Sequence, residues 1–124
     1  MKIVLICIMA FSLYASDGKK EHHLSKDLSY LDLSSQQKEH AKNIIKEYRI
    51  ALKAFHEFKE SMEKRKESLI ASETLKEEDL QRIHQAINDK ANTIENRFLL
   101  QMHRLLTPEQ RSKFAHNLEE WEVE

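Results

Sequence analysis

The chain has 124 residues, one third of them charged, with a formal net charge of -1 and a single Gly, Pro and Cys. That length allows one small domain, and the shortage of turn formers beside abundant Lys, Glu, Leu and Gln favours long helices over sheets. The near-zero charge leaves no basic footprint for nucleic acid, and there is no glycine-rich phosphate loop, no G-x-S-x-G and no H-E-x-x-H to carry an enzyme.

In chain order, Met1 and Lys2 give a positive start, Ile3 to Leu13 is apolar, and Ala15 precedes polar Ser16. This is the layout of a secretory signal peptide, residues 1–15. The run falls short of the roughly 20 apolar residues of a membrane span, so no stable span is expected after cleavage. Cleavage removes Cys7 and leaves a mature chain without disulfide, thiolate nucleophile or cysteine ligand. Residues 16–23 read as a flexible arm ending in His22 and His23, and residues 24–124 as a single helical domain. Leu24, Leu28, Leu31 and Leu33 suit a short amphipathic helix or turn.

Leu33-Ser34-Ser35-Gln36-Gln37 carries a capping-box pattern, in which a hydroxyl caps a helix and a glutamine three residues on reaches back. From Gln36 to Ala71 no breaker occurs, and Ala41, Ile44, Tyr48, Ala51, Phe55, Phe58 and Met62 keep steps of three and four, which predicts one helix of roughly 35 residues. Thr74-Leu75-Lys76-Glu77 reads as a second capping box. A second stripe follows at Leu80, Ile83, Ile87, Ala91, Ile94, Phe98, Met102 and Leu105. Leu106-Thr107-Pro108-Glu109-Gln110 repeats the first motif with Pro at the first helical position, and opens a terminal helix with Phe114, Ala115, Leu118 and Trp121 on its apolar face.

Two stripes joined by a short turn make an antiparallel hairpin. Pairing them around the turn sets Ile45 level with His103 and His40 level with Pro108. The fold class is therefore all-α: a long antiparallel helical hairpin with short N- and C-terminal helices. A lone hairpin leaves the stripe Phe55, Phe58, Met62, Ile87, Ile94 and Phe98 uncovered, so a homodimer is expected, with the stripe as its interface or as an extended apolar groove.

The paired motif (Leu33, Ser34, Gln37 and Leu106, Thr107, Gln110) resembles that of the Spy/CpxP family, conventionally L-T-x-x-Q, with Ser in place of Thr in the first copy. The resemblance covers residues from about 24 to 124. It implies a hooked, intertwined all-helical homodimer in the periplasm. It also implies one of several jobs. Spy-like members hold unfolded client proteins without ATP, and CpxP-like members restrain the periplasmic domain of a sensor kinase. CnrX-like and ZraP-like members bind nickel, cobalt or zinc. In the nickel-sensing relatives a thioether precedes the second motif by four residues, a position that Met102 fills. Their histidine positions fall on Leu24, Leu28 and Phe98, and their glutamate falls near Ile45.

Seven histidines in a cysteine-free mature chain suit a divalent or monovalent transition-metal ion with no organic cofactor, because imidazole and thioether favour Cu, Ni, Co and Zn. His22, His23, His40, His103 and His116 gather with Met102 toward the open end of the hairpin, although no two histidines have the i,i+3 or i,i+4 spacing of a one-helix site. The leading expectation is a periplasmic metal-stress protein; the alternative is an ATP-independent chaperone or a kinase modulator.

Overall fold

A computed structural model of the chain describes residues 28–123. The expected signal peptide, the arm, His22, His23 and Leu24 lie outside the described residues. The chain divides into two compact units, residues 1–34 and 35–124. In the first, a 3₁₀ turn spans Ser29–Leu31 and ends at Asp32, whose φ of 53° is left-handed. An aspartate tolerates that region better than most residues, because its short polar chain bonds locally. Leu28 and Leu31 are buried.

The second unit holds α1 (Ser35–Ala71), α2 (Glu77–Leu105) and α3 (Pro108–Ala115), then a 3₁₀ turn at Leu118–Trp121. No strand occurs among the described residues. At 37 residues α1 is about 55 Å long, because each residue adds about 1.5 Å and nothing in the stretch breaks the helix. Its partner α2 returns antiparallel. Glu47 meets Gln101 at 3.2 Å, and the Lys90 ammonium lies 5.1 Å from the centre of the Phe58 ring. That register is the one in which Ile45 is level with His103.

The inter-helix turn departs from the expected capping box. Thr74 caps nothing; Lys76 is the N-cap of α2 and makes no side-chain cap bond. The Ser72 hydroxyl lies 2.6 Å from the Leu69 carbonyl and 2.7 Å from the Thr74 carbonyl, sharing its one proton between them, and holds the turn instead. Glu77, Glu78 and Asp79 fill the first turn of α2, where carboxylates complement the positive end of the helix dipole.

Most of the core lies toward the end of the hairpin remote from this turn, where Ala41, Ile45 and Tyr48 of α1 pack with Phe98 and Met102 of α2, and Leu106, Phe114 and Trp121 join them. Phe55 is buried further along α1, and Ile83 is the one buried apolar residue near the turn among the described residues. Phe55 and Phe98, expected on an open stripe, are each 1% exposed. For Phe98 the reason is a third wall: the chain after α2 folds back and supplies Phe114 and Trp121 to the hairpin. Phe58, Met62, Ile87 and Ile94 stay half-buried, as the stripe predicts for a hairpin uncovered toward its turn. The terminal helix is shorter than expected. It stops at Ala115 with His116 as C-cap, and the Asn117 amide bonds back to the Lys113 carbonyl at 3.2 Å. Ala115 is exposed and Leu118 is 38% exposed, so Phe114 and Trp121 alone carry the apolar contact.

No helix among the described residues is long and apolar enough to cross a membrane.

Candidate functional site

The second motif forms a complete capping box. Thr107 is extended, its Oγ1 accepts from the Gln110 N–H at 3.2 Å, and the Thr107 N–H donates to Gln110 Oε1 at 3.0 Å. Pro108 occupies the first turn, where a missing N–H costs nothing. Leu106, extended at the C-cap of α2, buries its side chain and gives its N–H to the Met102 carbonyl.

The first motif reaches the second through its glutamine. Gln37 Nε2 donates to Gln110 Oε1 at 2.8 Å, and Gln110 Nε2 donates back to Gln37 Oε1 at 3.2 Å. Gln37 Nε2 also donates to the Leu105 carbonyl at 3.0 Å. That carbonyl is one of the last four in α2 and has no partner within the helix. Another of the four, on His103, accepts from Arg111 Nε at 2.9 Å. With Thr107 N and Gln37 Nε2 both donating to it, Gln110 Oε1 uses both lone pairs. The pair therefore couples the starts of α1 and α3 to the end of α2. Spacing alone reads each glutamine as a local cap; the cross-bond needed the hairpin register, which brings two equal offsets together.

Behind the motif sits an aromatic cluster. Tyr48 stacks on Phe98 with centroids 4.3 Å apart, and Trp121 lies 5.0 Å from Phe98 and 6.1 Å from Tyr48. Phe114 packs at 6.3 Å from Phe98. The Tyr48 hydroxyl donates to the Trp121 carbonyl. Burial, reinforced by the Glu95 carboxylate, pushes the Tyr48 phenol up to about 12. Glu95 in turn accepts from the Val123 N–H at 3.2 Å. Trp121 Nε1 is buried without a hydrogen-bond partner among the described residues. Arg111 and Glu95 carry no sequence signal for these roles, since both look like ordinary surface charges.

The metal candidates are placed as follows. Met102 is 0% exposed, its thioether packed inside the core. His40, His103 and His116 are exposed, as are His56 and His84. Among the described residues no group of three or more His, Cys, Asp or Glu side chains is arranged to hold a metal ion. The cross-motif bonds bring the His40 and His103 ends of their helices to the same end of the unit, and His22 and His23 lie outside the described residues.

The apolar face is more continuous. Phe58 and Met62 on α1 and Ile87 and Ile94 on α2 are half-buried. Closer to the turn, Ile70 is 61% and Leu75 46% exposed. An open depression on α2, lined by Thr93, Asn96, Arg97, Leu100, Gln101 and Arg104, brings together no acid–base pair.

The family model described as LTXXQ motif family protein matches residues 19–118, a span that includes both motifs. No curated protein and no solved structure matches the chain.

Proposed function

Because the chain belongs to the LTXXQ motif family of Spy/CpxP-like periplasmic proteins, we propose that it is an envelope protein that holds unfolding polypeptides on the apolar face of its hairpin. The observation carrying this reading is the half-buried line of Phe58, Met62, Ile87 and Ile94, continued toward the turn by half-buried Leu69 and Leu80. Such a surface gains by covering its apolar area with another apolar chain, at about 25 cal/mol per Å² removed from water. It needs no enclosed pocket and no cofactor. A second copy of the chain competes for the same residues, so homodimerisation and client capture are linked. The expected signal peptide would deliver the protein to the periplasm.

The experiment is suppression of aggregation. The mature protein at stoichiometric ratio is mixed with a reduced or heated client and light scattering is followed. Scattering should fall with the wild type and recover with Phe58→Ser/Ile94→Ser, whose sites are outside the fully buried core. No suppression by the wild type sinks the reading.

A metal-stress role is the second reading, and exposed His40 and His103 near the paired motifs favour it. With Met102 in the core, the site would rest on imidazoles, including those of His22 and His23. Isothermal titration with Cu, Ni, Co and Zn tests it. Affinity weaker than about 100 µM, or about 5–6 kcal/mol, for every ion removes it. Modulation of a sensor kinase's periplasmic domain would use the same apolar face, and a kinase domain that fails to bind the wild type excludes it.

A further inference from the structure

On one flank of α1 the residues Lys38, Lys42, Lys46, Arg49 and Lys53 recur at steps of four, four, three and four. At 100° per residue they share an arc of about 80° and a line of about 22 Å. All five are exposed, and none has an ion-pair partner among the described residues. Elsewhere cations do find partners: Lys66 pairs with Glu63, Arg82 with Asp79 and Arg97 with Glu47. Along the flank each cation instead has a like charge three or four residues away, an arrangement that weakens a helix. Glu39 and Glu57 only border the ends of the line, and Glu47 is turned across to Arg97 and Gln101. Beside the line Ile50 is 63% exposed, following Lys46 by one turn.

We propose that this flank docks the protein on an anionic phospholipid surface. The unbroken helix holds all five cations along one flank, so a flat array of phosphates meets them together, while Ile50 rests at the headgroup boundary. A basic line with an exposed apolar residue beside it is the pattern of an interfacial helix, and cations near an anionic leaflet gain from its surface potential. This leaves the apolar face of the hairpin free, so the proposal goes beyond the polypeptide-binding reading and does not depend on it.

The test is co-sedimentation of the mature protein with vesicles of phosphatidylcholine alone and with roughly one third phosphatidylglycerol. Binding is expected only to the anionic vesicles, and is expected to fade at about 0.3 M salt, where the screening length shrinks below the approach distance of the charges. Each cation near the surface contributes about fivefold, so K42Q/K46Q/R49Q should bind about a hundredfold more weakly. R65Q/K76Q/R104Q removes the same charge elsewhere and should bind within about twofold of the wild type. Circular dichroism of both variants verifies that the helices persist. Equal binding to neutral vesicles, no binding to anionic ones, or equal loss in both variants overturns the proposal. Retention on immobilised polyglutamate without vesicle binding overturns it as well, in favour of an acidic protein partner.

Discussion

The Gln37–Gln110 pair makes a quantitative test of how the two motifs cooperate. Replacing Gln37 by Ala removes its bonds to the Leu105 carbonyl, to Gln110 Oε1 and from Gln110 Nε2. Net bonds of this kind contribute about 0.5–1.5 kcal/mol each, and these are only part-buried, so the variant should lose about 2–3 kcal/mol. Gln110→Ala removes the same two mutual bonds and the one from the Thr107 N–H, for a similar loss. The double variant loses the mutual bonds only once. Its cost should therefore fall short of the sum by about 1–2 kcal/mol, well beyond the 0.3–0.5 kcal/mol scatter of independent sites. Urea unfolding of the four proteins, followed by far-ultraviolet circular dichroism, measures the cycle. In heat each single variant should melt about 10–15 °C lower, since 1 kcal/mol moves a domain of this size by about 4–8 °C. Additive losses would refute the direct coupling and reduce the glutamines to separate caps.

The remaining expectations concern the cap and the aromatic cluster. Thr107→Ala should cost about 1 kcal/mol through the cap bond to Gln110 N–H, with client binding unchanged; unaltered thermal stability would count against it. Phe98→Ala, at the centre of the cluster, should cost about 3–5 kcal/mol in urea. Trp121→Phe should cost about 1 kcal/mol or less, because the indole N–H it deletes has no partner and its burial is unfavourable; a cost equal to that of Trp121→Ala would contradict this. The Tyr48 phenol has a folded value of about 12 against 10.0 for the free group, so the unfolded chain releases that proton first. Its contribution is complete below pH 10 and is lost as pH rises from about 10 to about 12. Urea midpoints should drop across that window in the wild type and drop less in Tyr48→Phe, with tyrosinate absorbance locating the titration.

Much of the fold is legible in local spacing. The three-four steps define α1 and α2, and pairing them about Ser72–Lys76 gives the register that Glu47–Gln101 and Phe58–Lys90 display. What spacing does not reveal is competition between nearby partners. Thr74 has the right neighbours for a cap, but Ser72 ties the turn to Leu69 and Thr74 first, and α2 starts at Glu77. Periodicity also treats Phe58 and Phe98 alike. Only the return of Trp121 onto Tyr48, through a backbone carbonyl and a non-local ring contact, makes one core and leaves the other half-covered. For the candidate metal site the sequence offers residue types without a geometry. Single histidines on different helices have no spacing rule, and the one adjacent pair, His22 and His23, precedes the described residues.

The position of the deep core has a consequence for how the chain folds. A hairpin zipping from its turn would first join Leu69 with Leu80 and Met62 with Ile87, all still half-exposed when folding is complete, and would fully bury Ile83 alone. Those early contacts return little, while the strongest packing joins Tyr48 to Phe98 and Gln37 to Gln110, the latter 73 residues apart. Loop-closure entropy for such separations is incurred before the contacts that offset it. The helical hairpin, ordinarily a local and gradual assembly, should thus fold with an all-or-none step whose transition state already brings Gln37 and Gln110 together.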